Sequence, residues 1–354
     1  MGQDADGPRA RDDVALCVLT RAAPSHSSAC AGRRAAPTLS CVKVTLLAGG
    51  TGGAKLAHGF QMALPRGDLR VIVNVGDDTE HFGLLVCPDI DTILYTLAGI
   101  ADREQGWGVA GDTFTAAAQL ERYGEEAWFR IGDADLATHV HRARLLRGGA
   151  SLTDATAAMA ASLGLPSHLV PATDDRLRTR VGTDAGELDF QDYFVRRGQR
   201  DEVRAVRFEG ADAARPSPAA LVALATAELV VIGPSNPIVS IGPILAVPGL
   251  REALLAAPAP RLGVSGIVAG KALRGPADRM LVSLGHESSA LGVARLCEGL
   301  IEHFVVDEAD EALAPAIEAL GMGVSVLPTV MRSDEDRAGL ARALVALGEA
   351  MLTR

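Results

Sequence analysis

From Val42 onward three segments follow in a fixed order: "VKVTLLAGG", "AKLAHGFQMAL" and "LRVIVNVGDD". The first is an apolar run that ends in glycine. The second repeats its apolar residues with helical spacing over about three turns. The third is a second apolar run, and it ends in acids. Strand, helix, strand is a βαβ unit, and its right-handed crossover makes the two strands parallel. "DIDTILYTLAGI" then predicts a helix that opens on acidic residues.

After residue 200 the alternation resumes. "PSPAALVALATA" predicts a helix, "ELVVIGPSNP" a strand and turn, and "PRLGVSGIV" a strand. "SALGVARLCEGLI" predicts a helix, "EHFVVDEAD" and "GVSVLPTVM" strands, and "DEDRAGLARALVALGEAML" a last helix. The expected fold is α/β: a doubly wound, Rossmann-like, mostly parallel sheet. Its core comes from about 42–104 and 201–354, with a largely helical insertion over about 105–200. In the insertion, "DTFTAAAQLERYG", "ADLATHVHRARLLRGG" and "SLTDATAAMAASLG" predict helices, and "RVGTDAGELDFQDYFVRR" a hairpin. Ligands of such sheets bind beyond the carboxyl ends of the strands, at the switch point. Gly49 to Gly53, Asp77, Asp78 and "GPSNP" all follow predicted strands, so they are expected on one rim.

Composition narrows the partners. A formal charge of −10 disfavours nucleic acid and anionic membrane surfaces. Cys17, Cys30, Cys41, Cys87 and Cys297 are odd in number, and no pair has metal-ligand spacing. That predicts a reducing, cytoplasmic setting. No apolar run reaches the roughly 18 residues of a membrane-spanning helix. Residues 1–41 are rich in Ala, Arg and Ser and lack periodicity. They are expected to be a disordered extension or a mis-assigned start.

"AGGTGGAKL" resembles two phosphate loops and satisfies neither. A P-loop places Ser or Thr after its lysine, whereas Leu56 follows Lys55. The dinucleotide fingerprint needs a third glycine where Lys55 stands, which disfavours an NAD oxidoreductase. What the two loops share remains: Gly49, Gly50, Gly52 and Gly53 permit close backbone approach, and the following helix offers free N–H groups to an anion. Thr51 and Lys55 add polar contacts.

Asp77, Asp78, Asp89 and Asp91 lie within fifteen residues in "GDDTEHFGLLVCPDIDT". Carboxylates beside a phosphate site suit magnesium, or the positioning of an attacking hydroxyl. Each also has an ordinary use as a helix cap or turn residue. Lys55, Arg130, His139, His141, Arg142, Arg144, Arg147, Lys271 and Arg274 are candidate cations, with Arg144 and Arg147 adjacent on one helix face. "GPSNPIVSIGPIL" stiffens a turn with three prolines and presents Ser235 and Asn236. Trp107 is a candidate for stacking on a flat ring. Serine-hydrolase and zinc-protease motifs are absent from the sequence.

Taken in order, "LAGGTGGAKL", "VNVGDD", "PDIDTILYTLAG", "WGVAGDTF", "GDADLATHVHRARLLRGG" and "GPSNPIVSIGPIL" resemble one family from about Lys43 to the C-terminus. It is the family of 2-phospho-L-lactate and phosphoenolpyruvate transferases of coenzyme F-420 biosynthesis. The resemblance implies transfer of a phosphorylated three-carbon acid from a guanosine diphosphate-activated donor. The acceptor would be a ribityl hydroxyl of Fo, the 7,8-didemethyl-8-hydroxy-5-deazariboflavin; GMP leaves and magnesium assists. It implies catalytic roles for Asp77, Asp78 and Asp91, Fo contacts at Asp91 and Arg130, and metal ligands among Asp78, Asp89 and Asp91. A lysine also occurs at the position of Arg130 in the family. Gly50, Thr51, Gly52, Gly53, Lys55, Ser235 and Asn236 would face the donor phosphates and guanosine. A homodimer is the default assembly. The alternative is a related group of nucleotide-sugar-binding regulators that also begin strand–GGTG–helix. There the second strand ends in an "ADDGGSSG"-type loop, whereas here it ends in "GDDTEHFG".

Overall fold

The structure, a computed structural model, describes residues 42–353. The expectation for residues 1–41 lies outside the described residues. Seven strands form the main sheet: β1 (Val44–Ala48), β2 (Leu69–Val73), β3 (His168–Pro171), β4 (Leu229–Ile232), β5 (Arg261–Val264), β6 (His303–Asp307) and β7 (Gly323–Leu327). Their spatial order is β7-β6-β5-β4-β1-β2-β3. Every neighbouring pair is parallel. This is the doubly wound α/β class that the alternation predicts.

The chain moves outward from β1 through β2 to β3, then returns to the other side of β1 and continues outward from β4. The switch point therefore lies between β1 and β4, which pair from Val44↔Leu229 to Leu47↔Ile232. β1 and β4 are buried at every residue, as strands covered by helices on both faces must be. Four helices matter for the site: α1 (Gly50–Ala63), α2 (Pro88–Ala98), α3 (Asp133–Arg147) and α4 (Asp334–Leu352). α1 packs against α2 and α4, burying Ala54, Leu56, Ala57, Phe60 and Ala63. Ser333 and Asp336 form a reciprocal capping box that fixes the start of α4.

The middle of the chain departs from the expected, largely helical insertion. β3 comes from this stretch and completes an edge of the main sheet beside β2. The expected hairpin forms from Arg178–Thr183 and Gly186–Asp189, and Val203–Glu209 adds a third antiparallel strand. The segment Asp192–Arg196 winds into a π-helical turn instead of extending the hairpin. A second hairpin joins Thr79–His81 to Leu84–Val86. Its central residues, Phe82 (φ 53) and Gly83 (φ 71), both take the positive φ of a two-residue primed turn. Among the described residues no single helix is long and apolar enough to cross a membrane.

Candidate active site

A cavity of about 590 Å³ opens at the switch point. The loops after β1 and β4 are bolted together there by one hydroxyl. Ser235 Oγ accepts from Gly49 N at 3.1 Å and donates to Gly49 O at 2.9 Å. The glycine run is not a loop ahead of the helix, because α1 begins at Gly50 and takes the glycines into its first turn. Most of them are required by protein neighbours. A Cβ on Gly52 would stand 2.2 Å from the carbonyl oxygen of Pro234, and one on Gly53 would stand 2.8 Å from Ser235 Oγ. Gly50 differs: its φ is +62 and nothing lies within 4 Å of a Cβ there. Gly50, Thr51, Gly52 and Lys55 line the cavity; Gly53 is packed behind it.

The four carboxylates are all buried and fall into two pairs. Asp89 and Asp77 form the first. Asp89 Oδ1 accepts from Gly50 N at 2.8 Å and its Oδ2 accepts from Asn74 Nδ2 at 2.9 Å. Burial pushes the Asp89 carboxyl up to about 6, against those hydrogen bonds. Burial, then repulsion from Asp89, raises Asp77 well above the usual carboxylate range. Asp77 Oδ1 is buried without a hydrogen-bond partner. Asp78 and Asp91 form the second pair. Asp78 sits behind the cavity wall beside the Cys87 thiol, its Oδ1 buried without a hydrogen-bond partner, and burial pushes it up to about 7. Asp91 lines the cavity, yet most of its acceptor capacity is taken. Its Oδ2 accepts from Arg142 Nη1 at 3.2 Å and from Cys87 N at 3.3 Å, and its Oδ1 accepts from Arg142 Nη2.

Magnesium fits one of these pairs and not the three ligands expected. Among the described residues no group of three or more His, Cys, Asp or Glu side chains converges with metal-ligand geometry. Asp78 does not face the cavity, and Arg142 neutralises Asp91, so Asp78, Asp89 and Asp91 do not form one shell. Asp77 and Asp89 both line the cavity, repel each other and include an unpartnered buried oxygen. Two carboxylates completed by phosphate oxygens are a usual magnesium set.

The expected cations separate by burial. His139 and Arg142 are buried, whereas Arg144 and Arg147 lie on the exposed face of α3, away from the cavity. Lys55 reaches the cavity and donates to Met331 O at 3.3 Å. Burial first, then Arg337 and Arg274, lowers its pKa. Arg274 lines the mouth and donates to the carbonyls of Gln105 and Glu104, at 3.1 Å each. Lys271 is exposed and outside the cavity. Arg130 lines the cavity with its guanidinium 4.3 Å from the Phe114 ring centre. Trp107 meets the edge of that ring. Trp128 and Phe129 line the cavity too, and Phe129 stacks on His81. Ser235 and Asn236 are there, but their side chains serve the protein. Asn236 Oδ1 caps the next turn, accepting from Ile238 N at 2.9 Å and Val239 N at 3.3 Å.

The family model described as 2-phospho-L-lactate transferase CofD matches residues 44–323. The chain belongs to the 2-phospho-L-lactate transferase family. It is 43% identical over 317 residues to a phosphoenolpyruvate transferase of Kitasatospora aureofaciens, covering 87% of this chain and 98% of that one. It is 38% identical over 300 residues to a 2-phospho-L-lactate transferase of Methanosarcina mazei, covering 85% of this chain and 98% of that one. A solved structure of a UPF0052 family member from Bacillus halodurans shares the fold. Its TM-score is 0.56 and its identity 16%, over 86% of this chain and 99% of that one. In this member of the transferase family, sequence reading missed Asn74, the partner of Asp89, and the specific role of Arg142. Asn74 lies in "VNVGDD", where a buried polar residue at a strand end gave a signal. The signal for Arg142 was its i, i+3 spacing from His139 and i, i+7 spacing from Asp135, which place the three on one helix face.

Proposed function

We propose that the protein transfers a phosphoenolpyruvyl group from its guanosine diphosphate-activated form to the ribityl hydroxyl of Fo. The observation that carries this reading is the cavity itself, which joins the acidic N-terminus of α1 to an aromatic wall. Family membership supports the transfer chemistry. The relatives' names include both phosphoenolpyruvate and 2-phospho-L-lactate transferases, and the former are the bacterial ones.

In this reading the deazaflavin ring lies along Trp107, Trp128 and Phe129, with Arg130 at its edge. Its terminal hydroxyl points to Asp91, which orients it and receives its proton. The hydroxyl oxygen attacks the phosphorus that carries the three-carbon acid. The bond from that phosphorus to the bridging oxygen breaks, and GMP leaves with the bridging oxygen. The first turn of α1, from Gly50 to Lys55, cradles the pyrophosphate. Magnesium, held by Asp77 and Asp89, would neutralise charge on the phosphate oxygens and the leaving group. The loops carrying Arg274 and Trp107 exclude water from the mouth.

Purified protein given Fo, magnesium and guanosine diphosphate-activated phosphoenolpyruvate should form dehydro coenzyme F-420-0 and GMP, both read by mass spectrometry. Product only with the 2-phospholactyl donor would correct the acid. No phosphodiester with either donor, from folded protein, would overturn the reading.

A further inference from the structure

α2 and α3 are joined by a ring of buried side chains in contact. On α2, Asp91 and Tyr95 are one turn apart. On α3, Asp135, His139 and Arg142 fall at i, i+4 and i+7 along one face. Arg142 holds Asp91 through both terminal nitrogens. Arg142 Nη1 lies 3.3 Å from His139 Nδ1, and His139 Nε2 stands 3.3 Å from Asp135 Oδ1 as a contact without hydrogen-bond geometry. Tyr95 OH donates to the same Asp135 oxygen at 2.7 Å, which returns the ring to α2. Arg142 Nη1 also reaches Leu85 O at 3.2 Å.

The ring leaves Asp91 little freedom. A carboxylate oxygen has two acceptor positions. Both on Oδ2 are filled, by Arg142 and the Cys87 N–H, and one on Oδ1 is filled by Arg142. One acceptor position remains, on a residue that lines the cavity. As a stabilising device the arrangement is poor. Arg142 is 0% exposed and its Nε has no partner. A buried ion pair is weak evidence for stability, since apolar replacements of whole pairs are often neutral or stabilising. The fork does fix direction: two parallel N–H···O bonds hold the carboxylate plane as a single charge cannot.

We propose that Arg142 is a positioning residue: it locks Asp91 in the one orientation that aims its remaining lone pair at the acceptor's hydroxyl. His139, Asp135 and Tyr95 hold the fork in turn. This inference rests on the reading of Asp91 given above.

A mutant cycle tests it, with single-turnover rates so that slow variants are read, and acceptor KM measured beside kcat. The variants are Asp91→Asn, Arg142→Lys, Arg142→Met, Asp91→Asn/Arg142→Lys and Asp91→Asn/Arg142→Met. We expect Arg142→Lys, which keeps the charge and loses the fork, to lower kcat about 10-fold or more, with acceptor KM within about 3-fold. Arg142→Met should fall about as far as Asp91→Asn. In the Asp91→Asn background either Arg142 change should cost less than about 2-fold further, because the group it positions is gone. If Arg142→Met does not fold, the lysine arm of the cycle carries the test alone. Arg142 losses that multiply with Asp91→Asn, or full kcat in Arg142→Lys, would overturn the proposal. Normal turnover in Asp91→Asn would instead sink the reading of Asp91 itself.

Discussion

Asp89 Oδ1 accepts a 2.8 Å hydrogen bond from the backbone N–H of Gly50, so a side chain of α2 closes the N-terminus of α1. The carboxylate stands at the positive end of the helix dipole, next to where a phosphate is expected. Burial nevertheless raises its pKa, so its charge costs the protein stability that the hydrogen bonds only partly offset. Asp89→Asn keeps an oxygen for Gly50 and removes the charge. Relief of the buried charge is set against loss of the Asn74 hydrogen bond, so its melting temperature at pH 7 should stay close to that of the parent, while turnover should fall by about 100-fold. Thermal unfolding and the transfer assay, run on one preparation, separate the two effects. A large loss of stability with turnover retained would show that the carboxylate serves only as a cap.

Asp78 predicts a pH dependence of stability. Burial raises its folded pKa to about 7, above the ordinary carboxylate value of about 3.9. In the metal-free protein the folded state therefore binds this proton more tightly than the unfolded state does. Asp78 thus destabilises above about pH 7, and the loss is recovered as pH falls toward about 4. Chemical denaturation in the presence of chelator, comparing the parent with Asp78→Asn, should show the difference between the two shrinking as pH falls through that window. A difference that grows instead would contradict the burial argument.

Both tryptophans of the chain, Trp107 and Trp128, line the cavity. Binding of a conjugated deazaflavin beside them should quench intrinsic fluorescence in a saturable way. Trp107→Phe and Trp128→Phe should each remove part of the quenching, and the double variant nearly all of it. Acceptor KM should rise in Trp107→Ala, with donor KM unchanged. Acceptor binding without any quenching would place the ring elsewhere.

Two glycines of one helix turn should respond differently to alanine. At Gly52 the methyl would meet a backbone oxygen at 2.2 Å, and that oxygen belongs to Pro234 in a stiff loop. Gly52→Ala should cost about 3 kcal/mol and disturb the loop after β4. At Gly50 the space is open, and only the φ of +62 is strained. Gly50→Ala should cost about 1 kcal/mol. Urea unfolding midpoints rank the two; equal midpoints would mean the loops are looser than their contacts imply.

The Arg274 strap should affect binding more than folding. Its guanidinium joins the carbonyls of Glu104 and Gln105 to the loop that follows β5, across the cavity mouth. Arg274→Ala should raise KM for both substrates several-fold and move the unfolding midpoint by less than about 0.5 kcal/mol, because the residue is exposed. Unchanged KM values would remove the strap from the binding path.

The sequence by itself determined the parallel core, because near-continuous apolar runs, such as Val44–Ala48 and Leu229–Ile232, alternating with helical segments, suit strands covered on both faces. It also brought the glycine run, the four aspartates and the "GPSNP" turn to one rim, since each directly follows or opens a core element. Tertiary structure alone decided what each does there. β3 spans four residues, Leu169 and Val170 among them, and carries no periodicity of its own; only the free edge of β2 makes it a strand. Spacing could not show that Asp77 and Asp89 share the cavity wall while Arg142 takes Asp91 and Asp78 falls behind it, because that depends on which helix packs over α2. Nor could it show that most of the glycines answer to Pro234 and Ser235 rather than to a ligand. Those contacts join residues about 185 positions apart, and local chemistry is silent about which distant backbone will come within reach.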